Sequence, residues 1–153
     1  MTKELYSPLL AALLLLGAAT PRLAHAQPTS SAAQAAPLYM ALGENSGIQL
    51  LTVDFVKRLK VDTRLASAFK NANDANLQRM LAQQFCKLSG GPCVYEGADM
   101  KSVHADMDIT KTDFHALVEV LQMSMDARGI PFTAQNQLLA LLAPMHRDVI
   151  TVK

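Results

Sequence analysis

Three histidines in the second half of the chain, His104, His115 and His146, could bind a metal or transfer a proton. Only His104 falls in an apolar pattern, because Met100, His104 and Met107 share one face of a short predicted helix. His115 is predicted on the exposed side of a longer helix, and His146 stands among charged residues. A lone histidine on an apolar face is more often a core residue than a ligand, so both interpretations of His104 stay open.

The surroundings of His104 narrow the chemistry that it could support. No second histidine or carboxylate stands near it at the spacing of a zinc site. We find no nucleophile paired with a base and no glycine-rich phosphate-binding loop. Haem needs only one protein ligand and a large apolar slot, which a helical domain rich in Leu and Met can supply. The residues alone therefore indicate a helical domain for which haem is one candidate cofactor.

The N-terminal segment has the features of a secretory signal. A charged start at Lys3 precedes an uncharged apolar run over 9–19, and Ala24-His25-Ala26 resembles a cleavage site. This apolar run is shorter than the roughly 20 residues that span a bilayer, which disfavours the alternative of an uncleaved anchor. We expect export to the periplasm and no membrane attachment after cleavage. The predicted division is a signal peptide over 1–26, a flexible linker over 27–36 and one folded domain over 37–153.

The charge balance argues against nucleic acid as a partner. The chain has 14 basic and 13 acidic residues. Lys3, Arg22 and Glu4 precede Gln27, which leaves 12 of each sign in the rest of the chain. There is no run of Lys and Arg to bind a phosphate backbone.

Cys86 and Cys93 are the only cysteines, one at the end of a predicted helix and the other just after a Gly-Gly-Pro turn. Export permits a disulfide, and this short loop would stabilise the fold by roughly 2–3 kcal/mol in the chain-entropy model. The alternative is two free thiols. The spacing is too wide for a CxxC redox motif, so we predict a structural bridge.

Apolar residues recur at helical spacing through the folded domain, and no segment alternates as a strand does. Asn73 or Asp74 can cap one helix, Thr110 with Asp113 resembles a capping box, and Pro144 should bend or shorten the last helix. The class is therefore all-α. The predicted helices cover 47–60, 73–88, 99–107, the segment from Thr110 to the stop at Gly129 and Pro131, and a segment that starts at Thr133.

Residues 90–110, GGPCVYEGADMKSVHADMDIT, resemble the region around the proximal histidine of group 1 truncated haemoglobins. The segments 38–43, 54–55, 68–69 and 142–144 are also similar to the family, in the same order. The resemblance implies a two-over-two helical sandwich around haem b. The haem would lie between the 73–88 helix and the His104 segment.

The resemblance also assigns roles, with ordinary core packing as the alternative for each apolar residue. His104 matches the iron ligand, and we expect its other ring nitrogen to donate to a backbone carbonyl. Phe69 matches a residue that packs on the porphyrin. The expected haem contacts are Phe69, Leu77, Leu81, Phe85, Met100, Met107, Ile109, Phe114 and Val118. The expected distal pocket consists of Val56, Leu77, Met80, Leu81 and Gln84.

Four positions depart from the family. Val56 stands where many members have Tyr and Leu81 where Gln is common, so two donors to a bound ligand are missing. Glu44 and Asp108 stand where glycine is usual. We therefore expect an apolar distal side, fast oxygen release and an open or water-bound sixth site. A sulfur ligand from Met80 is the alternative.

Three functions follow from these observations. The preferred one is reversible binding of a diatomic gas, namely oxygen, carbon monoxide or nitric oxide. A haem redox protein that works with an unidentified reductase, in electron transfer or nitric oxide oxidation, is the second. A haem-free helical binding module is the third. The preferred interpretation is binding rather than catalysis, with a nitric oxide dioxygenase-like side activity left open.

Overall fold

The structure is a computed structural model that describes residues 36–152. The predicted signal peptide and all but the last residue of the predicted linker lie outside this part. Within it every regular element is helical, which confirms the all-α prediction. The helices are α1 (Pro37–Ala41), α2 (Glu44–Leu59), α3 (Ala66–Phe69), α4 (Asp74–Leu88), α5 (Met100–His104), α6 (Lys111–Ala127), α7 (Phe132–Leu142) and α8 (His146–Val149), with a 3₁₀ turn at Ala143–Met145 between the last two.

The predicted caps of α4 and α6 are present. The Asn73 side chain caps α4 by accepting from Asn76 N–H, and Thr110 and Asp113 form a reciprocal capping box at the start of α6. The hydrogen bond from the Thr110 hydroxyl lowers the pKa of Asp113. Gly90 and Gly129 have φ of 84° and 67° just beyond α4 and α6, a left-handed conformation that glycine adopts without steric cost.

The boundaries differ from the prediction where local geometry or short length hides the signal. The helix α2 begins at Glu44, because Gly43 and Glu44 have φ of 80° and 56° and turn the chain directly from α1 into α2. The helix α5 ends at His104 rather than at Met107. The short helices α1 and α3 were missed, since four or five residues carry too little periodic pattern. As predicted, Pro144 interrupts the last helix.

The long helices form two pairs that pack on each other. In one pair α2 packs against α4, in the other α6 packs against α7, and the pairs meet through α2 with α6 and α4 with α7. The core between them is built from fully buried side chains of the four helices, including Leu51, Phe55, Phe85, Leu121 and Leu138. This is the predicted two-over-two arrangement.

The helix α4 does not pack closely against α5 or α6, whereas α5 packs against α8. We refer to the region between α4 and the α5–α6 segment, where the family resemblance places the haem, as the slot. Among residues 36–152 no helix is long and apolar enough to cross a membrane.

Candidate functional site

The helix α5, which carries His104, has only five residues and depends on its surroundings for its position. Its first turn is capped by Asp99, whose carboxylate accepts from both the backbone N–H and the hydroxyl of Ser102, at 2.9 and 2.6 Å. The hydroxyl bond, followed by the backbone bond, lowers the pKa of Asp99. The cap therefore holds α5 most firmly when Asp99 is ionised.

The orientation of His104 is set by its own helix. His104 is half-buried, and its Nδ1 lies 2.7 Å from the carbonyl oxygen of Met100. Because a carbonyl can only accept, Nδ1 carries the ring proton. In the neutral ring, the second nitrogen, Nε2, then has a lone pair available to a metal.

One face of α4 is apolar and only partly covered. Leu77, Leu81, Gln84 and Leu88 follow the spacing of residues that share a helix face, and all four are half-buried. Met80 lies next to this face and is half-buried as well. Leu81 packs on the core with part of its surface. This face borders the slot.

Gln84 links α4 to the other side of the slot. Its amide nitrogen lies 3.5 Å from Met100 Sδ and 3.3 Å from Met145 Sδ. The amide group is thus directed at α5 and the 3₁₀ turn, so Gln84 approaches the His104 side of the slot although the sequence suggested a distal position. Met145 was not predicted in the site, because it lies 61 residues from Gln84 and no local motif marks it.

Further half-buried apolar side chains come from the start of α6 and the segment before it, namely Ile109, Phe114 and Val118. Met107 is 41% exposed. The ring of His146 lies edge-on to Phe114 with centroids 6.4 Å apart, although His146 itself is exposed. His115 lies on the exposed side of α6, as predicted.

Three predicted residues belong more to the core than to the slot surface. Val56 and Phe85 are 0% and 1% exposed, so they expose no surface to the slot in this structure. Phe69, at the end of α3, is half-buried and packs against the core.

The predicted disulfide is present between Cys86 and Cys93, with their Cα atoms 5.7 Å apart. It ties the end of α4 to the segment that leads to α5. Gln83 and Glu96 strengthen this tie, since each donates a hydrogen bond to the other, and Arg79 pairs with Glu96 at 3.4 Å.

A groove on another side of α4 lies away from these residues. It measures about 630 Å³, lies against α2 and the opposite side of α4, and is lined by polar side chains such as Gln49, Gln78 and Gln83. None of the residues predicted to contact haem lines it. A cleft of about 170 Å³ does adjoin Gln84, Met100 and Met145. Within residues 36–152 there is no cluster of His, Cys, Asp or Glu that could hold a metal by itself.

The site residues fit haem better than a bare metal ion. A single half-buried imidazole with a fixed proton offers one nitrogen ligand, and partly covered apolar side chains on α4 and α6 offer surface to a large planar group. Haem iron needs one such ligand, with the macrocycle held by apolar contacts.

Comparison with known proteins identifies the class. A sequence model of the bacterial-like globin family matches residues 37–151, and the chain belongs to this family. Its relatives include the group 1 truncated haemoglobin GlbN of Mycolicibacterium paratuberculosis, 28% identical over 78% of this chain and 88% of that protein. A group 1 truncated haemoglobin of Tetrahymena pyriformis is 23% identical over 74% and 93% of the two chains.

Solved structures show the same fold. The crystal structure of the Tetrahymena pyriformis truncated haemoglobin in its Fe(III) form matches with a TM-score of 0.71 at 23% identity, over 74% of this chain and 97% of that one. The 2/2 haemoglobin of Synechococcus, in the cyanomet state with covalently attached haem, matches with a TM-score of 0.69 at 20% identity and the same coverage. The protein is thus a truncated, haem-binding globin whose cofactor is haem b, and globins bind diatomic gases.

Proposed function

We propose that this chain binds a diatomic gas reversibly at haem iron that is held by His104 Nε2. The observation that carries the proposal is the hydrogen bond from His104 Nδ1–H to Met100 O at 2.7 Å. It fixes the ring and leaves the other nitrogen as the metal ligand. Haem would supply the iron that binds the gas.

The remaining residues would hold the macrocycle and exclude water from it. Leu77 and Leu81 present an apolar surface on α4, and Ile109, Phe114 and Val118 present another from the α6 side. Burying such partly exposed side chains contributes about 25 cal/mol per Å² of apolar surface removed from water. Phe69 adds an aromatic ring at the margin of the core.

A redox function is the second candidate, and it rests on Met80. This half-buried residue lies beside Leu81 on α4, and a thioether can ligate haem iron and raise its potential. Electron transfer or nitric oxide oxidation would then require a reductase partner. Absorption spectra of the ferric parent and of Met80→Ala separate the two functions. A low-spin signal that disappears in Met80→Ala would favour the redox function, whereas gas binding expects no such signal.

We also propose that the protein is exported to the periplasm and released from the membrane. The apolar run and the Ala24-His25-Ala26 site support this location, and so does the Cys86–Cys93 disulfide, since disulfides persist in oxidising compartments.

The histidine assignment can be tested by substitution. Purified parent protein should show the intense absorption of bound haem and should bind carbon monoxide and oxygen reversibly after reduction. His104→Ala should lose the histidine-ligated spectrum, whereas His115→Ala, on the exposed side of α6, should keep it. A parent protein that takes up no haem would contradict the proposal, and so would a spectrum that depends on His115 instead.

A further inference from the structure

The turn after α5 is fastened by the C-terminal end of the chain. Ile109 N–H donates to the Thr151 hydroxyl at 2.8 Å. The carbonyl of Ile109 accepts from Thr151 N–H at 2.9 Å and from Val152 N–H at 3.0 Å. Ile109 therefore forms three hydrogen bonds with two consecutive residues, donating one and accepting two. We refer to residues 150–152 as the tail.

The same tail is connected to α5 from the other side. It leaves α8, which packs against α5, and Ile150 N–H donates to His146 O at 3.0 Å. The helix α5, the turn 105–109, the tail and α8 thus form a closed ring of contacts. His104 is the last residue of α5 and therefore belongs to this ring.

The short link between His104 and Ile109 has little freedom to absorb a displacement. Met107 N–H donates to His104 O at 3.2 Å, and Asp108 has a φ of 50°. A left-handed aspartate is accessible but less favourable than an ordinary helical or extended conformation. The hydrogen bonds between Ile109 and the tail therefore hold Asp108 in this conformation and limit movement of the end of α5.

From these contacts we infer that Thr151 is a positioning residue for the proximal imidazole. Its hydroxyl, through Ile109 and the turn, sets where His104 stands relative to the slot. The inference rests on the proposed role of His104 as the iron ligand. The helix α5 is too short to keep its own orientation, which is why an attachment outside the helix can govern the imidazole.

The test compares Thr151→Val, which removes the hydroxyl at nearly constant shape, with Thr151→Ser, which restores it. Thr133→Val, at an exposed position on α7, is the matched control. In the haem-free protein, amide hydrogen exchange over residues 101–109 should be faster in Thr151→Val than in the parent, the Ser variant and the control. Loss of one hydrogen bond corresponds to an increase of about 2- to 10-fold.

In the haem-loaded protein, Thr151→Val should release haem to an excess of acceptor apoglobin about 2- to 10-fold faster and should shift the iron–histidine stretching band. The Ser variant should behave as the parent. Exchange and haem release that match Thr133→Val would overturn the inference. The exchange measurement uses haem-free protein, so it tests the role of the tail even if His104 is not the iron ligand. The spectrum of His104→Ala tests the ligand assignment separately.

Discussion

At the scale of single residues, the distal side of the slot lacks polar side chains at two positions. Leu81 stands half-buried on α4 where the family often has Gln, and Val56, in place of Tyr, is fully buried. Gln84, the amide on the same face of α4 as Leu81, is directed at Met100 and Met145. A bound gas would therefore find apolar surface at Leu81, and polar ligands such as oxygen should leave quickly.

Leu81→Gln should slow oxygen release, because an amide at this position could donate a hydrogen bond to the ligand. A charge-assisted bond contributes about 1.5–3 kcal/mol, which corresponds to about 10- to 100-fold in rate or affinity. Carbon monoxide, which is less polar when bound, should change less. Stopped-flow measurement of oxygen dissociation provides the check.

Leu88→Gln is the control for this substitution, since Leu88 is half-buried on the same face of α4, two turns further on. It should leave oxygen release unchanged. Equal slowing in both variants would mean that the effect is not local to Leu81. Slow release from the parent would show instead that a polar group already reaches the ligand.

At the scale of the elements, the stability of α5 should depend on pH through Asp99. The Ser102 hydrogen bonds hold the pKa of Asp99 below its ordinary value, so its ionised form is favoured in the folded state. A group with a lowered folded pKa contributes stability above its unfolded pKa, and this contribution is lost as the pH falls through the folded pKa. Protection of the Ser102, Val103 and His104 amides in haem-free protein should therefore decrease in acid.

Asp99→Asn separates this effect from other titrations. Asn can still cap the helix but has no carboxyl proton to gain, so the acid-dependent loss of protection should become smaller. The variant retains every other titratable group of the parent. An identical pH profile in parent and variant would show that the Asp99 cap does not control α5.

The Cys86–Cys93 disulfide joins the end of α4 to the segment before α5, and its contribution to the free energy of unfolding can be measured. Replacing both cysteines, as Cys86→Ala with Cys93→Ala, should lower the free energy of unfolding by roughly 2–3 kcal/mol, because the unfolded chain is no longer constrained. Urea unfolding measures the loss. A reductant should destabilise the parent by a similar amount and leave the double variant unchanged. Stability that is insensitive to both would contradict a structural role for the bridge.

At the scale of the whole molecule, the features that could be predicted from the sequence are those that depend on residues close together in the chain. The apolar spacing of the long helices, the caps at Asn73 and Thr110 and the break at Pro144 all reappear in the structure. The family resemblance supplied the arrangement of the pairs, which periodicity alone does not determine. Glu44 and Asp108 have positive φ angles, the conformation that glycine usually provides at these positions.

Contacts between distant segments could not be predicted in this way. The approach of Met145 to Gln84 and of Thr151 to Ile109 depends on how the chain returns after the 3₁₀ turn. The burial of Val56 and Phe85 likewise depends on the packing of α2 against α4. Each of these is decided by tertiary structure, since the residues involved show no distinctive local spacing.

The central claim is that His104 is the iron ligand, and the iron–histidine stretching band of the ferrous protein tests it most directly. We expect the band in the parent, its loss in His104→Gly, and its return in His104→Gly when free imidazole is added. His146→Gly is the control, because His146 is the other histidine with a ring near the site, beside Phe114. A band that persists in His104→Gly and disappears in His146→Gly would contradict the account.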